Sequence, residues 1–272
     1  MAPGAPARIM GRVRYAAIGD SFTEGVGDED ADGVPHGWAD RVAAGLAGAA
    51  GEPVRYANLA VRGKLLADVV SEQLEAALAL DPAPTLITLN GGGNDMLRPR
   101  TDLARLGELT AHAVRRCAEA GVRLVLLSGA DPSARLPLGR MVNRRGSALT
   151  AMARTLADEH GLTLVDVFGD TEIRRPGYWA PDRLHLATPG HVRAAGLVLD
   201  ALGARGALPA AGAAGDVARG VSAELTYYRT HVLPWVGRRL RGRSSGDGRP
   251  PKYPAWTTLP ADGSEIGERR ER

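Results

Sequence analysis

A serine and a histidine that could act together in nucleophilic catalysis lie far apart in this sequence. Ser21 directly follows a short run that begins at Tyr15, and His185 ends the segment Asp182-Arg183-Leu184-His185. A serine hydroxyl is a weak nucleophile at neutral pH, and it needs a base within hydrogen-bond reach. Ser21 is therefore a candidate nucleophile if the fold brings a histidine such as His185 next to it.

The sequence around Ser21 has a structural interpretation as well. Gly19, Asp20 and Ser21 are residue types that favour a turn followed by a helix N-cap. If the preceding apolar run is a strand of a parallel sheet, Ser21 lies at the carboxyl end of that strand, where open α/β sheets present groups to a ligand. The tripeptide alone does not distinguish a capping role from a catalytic one, so the interpretation depends on segments further along the chain.

Two downstream segments follow predicted strands and would open onto the same crevice. They run from Asn58 to Gly63 and from Asn90 to Asp95, and the second contains three consecutive glycines, which let the backbone approach a ligand closely. Acyl transfer develops negative charge on a carbonyl oxygen, and each preorganised donor aimed at it is worth roughly a hundred- to a thousandfold in rate. The backbone amides of Ser21 and Gly63 and the side-chain amide of Asn94 are candidate donors.

Four blocks of sequence, in this order, resemble the SGNH hydrolases, which are also called the GDSL esterase/lipase family. The blocks are Gly19-Asp20-Ser21, Gly63, Gly92-Gly93-Asn94-Asp95 and Asp182-Arg183-Leu184-His185. The resemblance covers the chain from Arg14 to about Leu202. It implies a flavodoxin-like, three-layer α/β/α sandwich and the cleavage of an ester, with no cofactor and no metal.

The resemblance also implies a role for each candidate residue. Ser21 would be the nucleophile, and His185 the base that takes its proton and returns it to the leaving alcohol. Asp182 would hold the other imidazole nitrogen and fix the tautomer. The N–H groups of Ser21 and Gly63 and the side chain of Asn94 would form an oxyanion hole. The G-x-S-x-G elbow of the α/β-hydrolases is absent around Ser21.

The elements that must position these residues alternate regularly. Short apolar runs rich in branched residues alternate with amphipathic segments of helical length, which indicates βαβ units. Strands are predicted at residues 13–18, 54–59, 85–89, 122–128 and 162–167, and helices at 38–50, 64–80, 102–120, 146–160 and 188–202. This order predicts an α/β fold with a five-stranded parallel sheet.

Residues 1–205 are predicted to form the hydrolase domain. After an Ala/Gly-rich linker, apolar residues at helical spacing from Val217 to Val232 predict an appended helix within residues 206–243. From residue 244 onward the sequence is dense in Gly, Pro, Ser and charge. We therefore expect residues 244–272 to be poorly ordered, apart from an anchor at Tyr253 to Trp256.

Composition excludes several classes of protein. A single cysteine, Cys117, rules out an intramolecular disulfide and a cysteine-based metal cluster, and no run approaches the ~18 apolar residues of a membrane span. Six basic residues between Arg238 and Lys252 fit a solvated tail better than a nucleic-acid site, because no aromatic residues are interleaved with them. We expect a cytoplasmic protein that acts on a small-molecule acyl ester and binds no nucleic acid, and the oligomeric state stays open.

The sequence is compatible with more than one reaction. Deacylation by water would make the chain an esterase or thioesterase, and deacylation by an alcohol or amine would make it an acyltransferase. A non-catalytic flavodoxin-like module that binds a nucleotide or phosphate is a different class, which the joint presence of Ser21, Asn94, Asp182 and His185 argues against. The triple glycine does not fit a Walker-type phosphate loop, because the lysine motif of such loops is absent.

Some neighbouring residues have more than one interpretation. Asp20 and Asp95 are expected to organise their loops by hydrogen bonding; a divalent metal site built from them and Asp182 is physically possible, but the resemblance argues against it. His191 lies in the helix that follows His185, and it is expected to be a packing or surface residue or to support the site.

Two segments carry alternatives that concern specificity. Residues 131–145 contain four arginines and two prolines, and they either border the pocket and favour an anionic substrate or form a solvated loop. Tyr178 and Trp179 either wall the site or simply pack.

Overall fold

Six strands form one sheet at the centre of the structure. The computed structural model describes residues 13–136, 138–204 and 246–262. The strands are β1 (Arg14–Ile18), β2 (Val54–Asn58), β3 (Leu86–Asn90), β4 (Arg123–Leu127), β5 (Thr163–Val165) and β6 (Tyr253–Leu259). Their order across the sheet is β5-β4-β3-β1-β2-β6.

Helices connect the strands and cover both faces of the sheet. They are α1 (Ser21–Glu24), α2 (Trp38–Ala50), α3 (Leu66–Asp68), α4 (Glu75–Leu78), α5 (Gly93–Met96), α6 (Leu103–Glu119), α7 (Gly139–His160) and α8 (Thr188–Leu202). A π-helix, Val69–Leu74, joins α3 to α4, and Pro176–Tyr178 forms a 3-10 turn. The predicted helix at 64–80 is therefore a composite of three helical pieces. Helix α7 begins before its predicted start at residue 146.

The five predicted strands are confirmed, and they run parallel. β1 pairs with β2 and β3, and β4 pairs with β3 and β5. The strand order reverses its direction of growth between β1 and β3, as in the flavodoxin-like order, and ligand crevices form beyond the carboxyl ends of the strands at such a point. The segment of Ser21 follows β1 and the segment of Asn94 follows β3, so both predicted site segments flank this point.

The sheet also contains a strand that the composition of the tail did not predict. β6 pairs antiparallel with β2, with Val54 opposite Leu259. This finding corrects the expectation of poor order for residues 246–262, and the predicted anchor at Tyr253 to Trp256 lies inside the strand. Pro254 is tolerated because β6 is an edge strand. The helix predicted within residues 206–243 lies outside the described residues, and the domain boundaries stay a prediction.

Alternate residues of the strands face two separate hydrophobic cores. In β1, Tyr15 and Ala17 join the core beneath α2 and α8, whereas Ala16 and Ile18 join the core beneath the π-helix and α6. This division follows from the two-residue period of side chains along a strand. Cys117 is buried in the second core, as a packing residue would be. The polar side chains of the predicted site therefore lie beyond these two cores, at the carboxyl edge of the sheet.

None of the helices within the described ranges is both long and apolar enough to cross a membrane.

Candidate active site

Ser21 lies at the start of helix α1, directly after strand β1. Asp20 is the N-cap of this helix, and its Oδ1 accepts a hydrogen bond from the Phe22 N–H at 3.1 Å. The cap satisfies a helix N–H that would otherwise lack a partner, and Ser21 lines a pocket beyond the sheet. The structural and the functional interpretations of the Gly-Asp-Ser turn are therefore compatible.

Gln73 fixes the glycine that precedes this turn. Its Oε1 accepts from the Gly19 N–H at 2.8 Å, and its Nε2 donates to the Gly19 carbonyl at 3.0 Å. Gln73 is buried and belongs to the π-helix Val69–Leu74, and π-helical segments are frequent at functional sites. Because both backbone polar groups of Gly19 are held, the end of β1 has a defined orientation.

His185 is held by a turn that Asp182 organises. The Oδ1 atom of Asp182 accepts hydrogen bonds from the Leu184 and His185 N–H groups, both at 3.0 Å. Arg183 has a φ of 62°, a left-handed conformation that costs of order 1 kcal/mol or more in a residue other than glycine. The two backbone hydrogen bonds that the Asp182 side chain accepts stabilise this turn against that strain.

Ser21, His185 and Asp182 form one hydrogen-bonded line. The Nε2 atom of His185 lies 2.9 Å from Ser21 Oγ, and its Nδ1 lies 2.5 Å from Asp182 Oδ2. Because an ionised carboxylate only accepts hydrogen bonds, Nδ1 is assigned the ring proton and donates it to Asp182. Nε2 is then the acceptor for the Ser21 hydroxyl. This geometry can take a proton from Ser21 and stabilise the resulting imidazolium.

The electrostatic environment keeps Asp182 ionised. Burial by itself would raise its pKa, but the hydrogen bond and charge of His185, together with the two backbone N–H donors, outweigh burial and hold the pKa of Asp182 well below its usual range. Hydrogen bonds to the charged form favour that form. The carboxylate that faces His185 Nδ1 is therefore negative throughout the neutral pH range.

Gly63 lies on the loop after β2, whereas Asn94 lies in the short helix α5 that follows β3. Gly63 has a φ of 78°, which glycine adopts without the strain that a Cβ would add. The Nδ2 atom of Asn94 donates to Asp20 Oδ2 at 3.2 Å and to the Lys64 carbonyl at 3.0 Å. Both hydrogens of the Asn94 amide therefore already have protein acceptors.

Two carboxyl groups near Ser21 organise loops. Burial raises the pKa of Asp20 to about 6, although the Phe22 N–H and His185 favour its ionised form. Burial likewise raises the pKa of Asp95, whose Oδ2 accepts from the Leu66 N–H at 3.0 Å. Within the described ranges, no three His, Cys, Asp or Glu side chains are grouped to hold a metal ion. Asp20 and Asp95 thus hold N–H groups, as we expected.

An apolar pocket extends from Ser21 and His185 between strands β3 and β4 and helices α6 and α7. Its free volume is about 120 Å³, whereas one water molecule needs only about 10–15 Å³ on the same measure. Much of its wall consists of large apolar side chains, including Leu66, Leu89, Met96, Leu126, Leu149 and Met152. Such a lining favours an aliphatic group over a charged one.

Two of the four arginines and both aromatic residues predicted near the site pack on the protein instead, and the other two arginines, Arg140 and Arg144, are exposed. Arg135 lies 4.9 Å from the centre of the Trp179 ring, and Arg145 donates to backbone carbonyls. Trp179 is buried, and the Tyr178 hydroxyl donates to Glu172. None of these arginine and aromatic side chains lines the pocket. The geometry favours packing roles and gives no support to an anionic substrate.

His191, in helix α8, supports the chain that follows α1. Its Nδ1 accepts from the Trp38 N–H at 3.2 Å, so Nε2 carries the proton and donates to the Val26 carbonyl at 3.3 Å. Burial lowers the pKa of His191 to about 4, and the ring is neutral near pH 7. His191 is therefore a buried packing residue and not a surface residue, and its hydrogen bonds hold the backbone at Val26 and Trp38.

Two positioning contacts were missed by the sequence interpretation. Gln73 lies on the apolar stripe of its helical segment, and a polar residue at such a position is the one signal that points to it. Glu24 accepts from the Arg62 backbone N–H at 2.6 Å and from the Arg62 guanidinium at 2.6 and 2.9 Å. This pair joins helix α1 to the loop of Gly63, and nothing in the local sequence indicates it.

Comparison with protein families gives a match over most of the chain. The model of the GDSL-like Lipase/Acylhydrolase family matches residues 17–193, a range that contains Ser21, Gly63, Asn94, Asp182 and His185. A search of curated protein sequences finds no significant match.

Solved structures with the same fold include several enzymes. TesA is 25% identical, with a TM-score of 0.58 over 70% of this chain and 97% of that chain. The lipase Lip_vut3 from a goat rumen metagenome is 18% identical, with a TM-score of 0.59 over 70% of this chain and 97% of its own. A catalytic mutant of Axe2, an acetylxylan esterase from Geobacillus stearothermophilus, is 18% identical, with a TM-score of 0.57 and coverages of 70% and 94%. Together with the family match, these likenesses lead to one conclusion: the chain belongs to the GDSL-like lipase/acylhydrolase family and is a hydrolase of ester bonds.

Proposed function

We propose that this hydrolase cleaves esters of aliphatic acids through an acyl intermediate on Ser21. His185 acts as general base and general acid, and Asp182 orients its ring. The observation that carries the proposal is the hydrogen-bonded line from Ser21 Oγ through His185 to Asp182, with contacts of 2.9 and 2.5 Å. The 2.9 Å contact between Ser21 Oγ and His185 Nε2 is within the range that proton transfer requires.

The reaction has two half-steps. Ser21 Oγ attacks the ester carbonyl carbon while its proton moves to His185 Nε2, and the tetrahedral adduct then loses the alcohol, which takes that proton. Water next attacks the acyl-serine and gives a proton to Nε2. The carboxylic acid leaves as Ser21 Oγ regains that proton, so the enzyme returns to its starting state. Asp182 stays ionised and stabilises the imidazolium in both half-steps.

The negative oxygen of each tetrahedral adduct needs donors. We assign this role to the N–H groups of Ser21 and Gly63 and to the side chain of Asn94. Because the Asn94 amide donates to Asp20 and Lys64 in the free protein, it must exchange one of these acceptors for the oxyanion. Exchange of the neutral Lys64 carbonyl costs less in the transition state, since the charged oxyanion forms the stronger hydrogen bond.

The apolar pocket is assigned to the acyl group. It starts at Ser21 and His185 and ends among aliphatic side chains of α7 such as Leu149 and Met152. Each buried methylene contributes about 0.8 kcal/mol, so a chain of several carbons gains more from this pocket than an acetyl group does. We therefore expect turnover to increase with acyl length until the pocket is full.

Hydrolysis of p-nitrophenyl esters from acetate to decanoate tests the proposal. We expect Ser21→Ala and His185→Ala each to lower kcat by about a thousandfold or more, while circular dichroism and Tm stay close to those of the wild type. Ser71→Ala is the matched control, because Ser71 is exposed on the π-helix, and it should keep full activity. Full activity of either active-site variant would rule out the proposed mechanism.

A further inference from the structure

A segment beyond the family match contacts the site from outside. Residues 246–262, here called the C-terminal strap, follow the matched range 17–193 in the sequence. The strap adds strand β6 to the edge of β2, and β2 leads directly into the loop of Gly63. Its residues before β6 contact both this loop and helix α1.

Lys252 connects the strap to helix α1. Its Nζ donates to the Glu24 carbonyl at 3.0 Å, to the Pro35 carbonyl at 2.6 Å and to Asp40 Oδ2 at 2.5 Å. The side chains of Lys252 and Asp40 are only 7% and 4% exposed. A buried ammonium that has three acceptors holds a fixed position, because each lost contact would leave buried charge or a polar group unpaired. The last residue of α1 is thereby tied to the strap.

Gly246 connects the strap to the loop of Gly63. A side chain at Gly246 would collide with the Arg62 carbonyl oxygen, and it would also approach Val61 within 3.0 Å. Arg62 is the residue before Gly63, and its N–H and guanidinium are bound to Glu24. The strap, the end of α1 and the loop of Gly63 therefore meet at the Glu24–Arg62 ion pair.

We infer that the C-terminal strap is a positioning element for the transition state of ester cleavage. It holds the Gly63 loop and helix α1 in register, so that the N–H groups of Gly63 and Ser21 point at one oxygen. The inference rests on the proposed function of Ser21 and Gly63. Donors of an oxyanion hole act only when they are preorganised, and a displacement of about 1 Å can lower the rate about a hundredfold. Gly246 and Lys252 are positioning residues in this arrangement, since they touch neither substrate nor reacting atoms.

Gly246→Ala in the full-length protein tests this role without changing any charge. We expect kcat to fall between about tenfold and a hundredfold, while KM stays within about twofold. A loss confined to kcat reports an interaction made in the transition state. The inhibition constant of an aryl trifluoromethyl ketone, which forms an oxyanion adduct with serine, should rise by the same factor as kcat/KM falls.

A second pair of variants separates positioning from general stability. Lys252→Met combined with Asp40→Asn removes both charges of the buried pair and should lower kcat with little change in KM. Trp256→Phe is the control on the same strand, because its indole N–H donates to the Pro82 carbonyl at 3.0 Å, away from the loop of Gly63. This control should lower Tm and leave kcat and ketone inhibition at wild-type values.

The outcomes are distinguishable from those of the proposed function. If wild-type turnover does not depend on Ser21, the proposed function is wrong, and the inference about the strap, which rests on it, is wrong as well. If turnover depends on Ser21 but Gly246→Ala and the Lys252 variant keep wild-type kcat and ketone inhibition, the strap inference alone is overturned. An equal loss of kcat in Trp256→Phe would also overturn it, because general loosening would then explain every variant.

Discussion

The two faces of the sheet differ in the space that they leave beneath their helices. Helices α2 and α8 pack closely on one face, and neither helix contributes a residue to the lining of the pocket. The other face carries the π-helix, α6 and α7, and there the pocket of about 120 Å³ stays open beneath Ser21. In the proposed function, the face with the pocket accommodates the acyl group of the substrate and the other face stabilises the fold.

Small residues explain the closely packed face. Ala43 and Ala47 on α2 and Ala194 and Ala195 on α8 are buried, and short side chains let two helices approach each other and the sheet. On the pocket face, α7 presents longer side chains such as Leu149 and Met152, which line a cavity without filling it. Tight interiors resist changes in volume, so the two faces should respond differently to substitution.

A substitution in the candidate site, at the carboxyl edge of the sheet between these faces, should have the largest effect on activity. Asp182→Asn should lower kcat by about four orders of magnitude, because the amide favours the wrong tautomer of His185. It should also lower the stability of the fold, because the ionised carboxylate of Asp182 is held by His185 and two backbone N–H groups. Initial rates on p-nitrophenyl butyrate and thermal unfolding measure the two quantities. Asp158→Asn, on the exposed surface of α7, is the control. A loss below tenfold in Asp182→Asn would mean that this carboxylate does not orient the base.

On the closely packed face, Leu199→Ala should destabilise the fold by about 4 kcal/mol, since the removed methyl groups leave a cavity that cannot collapse. Urea unfolding gives this free energy. The order of rates along the acyl-length series should stay the same as in the wild type. A changed length preference in this variant would show that the two faces are not independent.

His191 gives the closely packed face a pH dependence. An unfolded histidine has a pKa of about 6.5, and burial lowers the pKa of His191 in the folded chain to about 4. Between these values the unfolded chain binds a proton that the folded chain does not, so acid destabilises the fold. From pH 7 to pH 4 the wild type should lose about 3 kcal/mol relative to His191→Gln.

Urea unfolding of both proteins at several pH values measures this difference. Parallel stability curves for the wild type and His191→Gln would show that the His191 ring is not held neutral by burial.

On the pocket face, Leu149→Trp should change specificity more than stability. Leu149 packs directly against Gly92, where a Cβ would lie 2.8 Å from it, and it also lines the pocket. A larger ring at this position must therefore extend into the pocket. If it displaces about four methylenes of the acyl chain, kcat/KM for octanoate should fall about a hundredfold relative to acetate. An unchanged ratio of the two esters would show that the acyl group lies elsewhere.

Much of the fold could be predicted from the sequence, because hydrophobic periodicity is a local signal. Helices α2 and α8 begin and end at their predicted residues, and each of the five parallel strands lies within or next to its predicted range. The π-helix was not predicted, since Val69 to Leu74 shares the apolar stripe of an ordinary helix. β6 was missed because the Gly- and Pro-rich residues before it dominate the composition of the tail.

In the candidate site, too, residues in local motifs could be predicted, whereas contacts between distant segments could not. Ser21, Asp182 and His185 were predicted because they lie in short motifs, and the structure brings them together. The contacts of Gln73 with Gly19 and of Glu24 with Arg62 join residues far apart in the sequence. Such pairings depend on how the elements pack, so no local pattern reveals them. The roles of Gly63 and Asn94 stay predictions.

Labelling with a fluorophosphonate, followed by mass spectrometry of the peptides, tests most directly whether Ser21 is the nucleophile. The wild type and Ser71→Ala should each take up one label, on the peptide that contains Ser21, and Ser21→Ala should take up none. His185→Ala should react far more slowly, because the serine then lacks its base. A label on another residue, or equal labelling of the Ser21→Ala variant, would contradict Ser21 as the nucleophile.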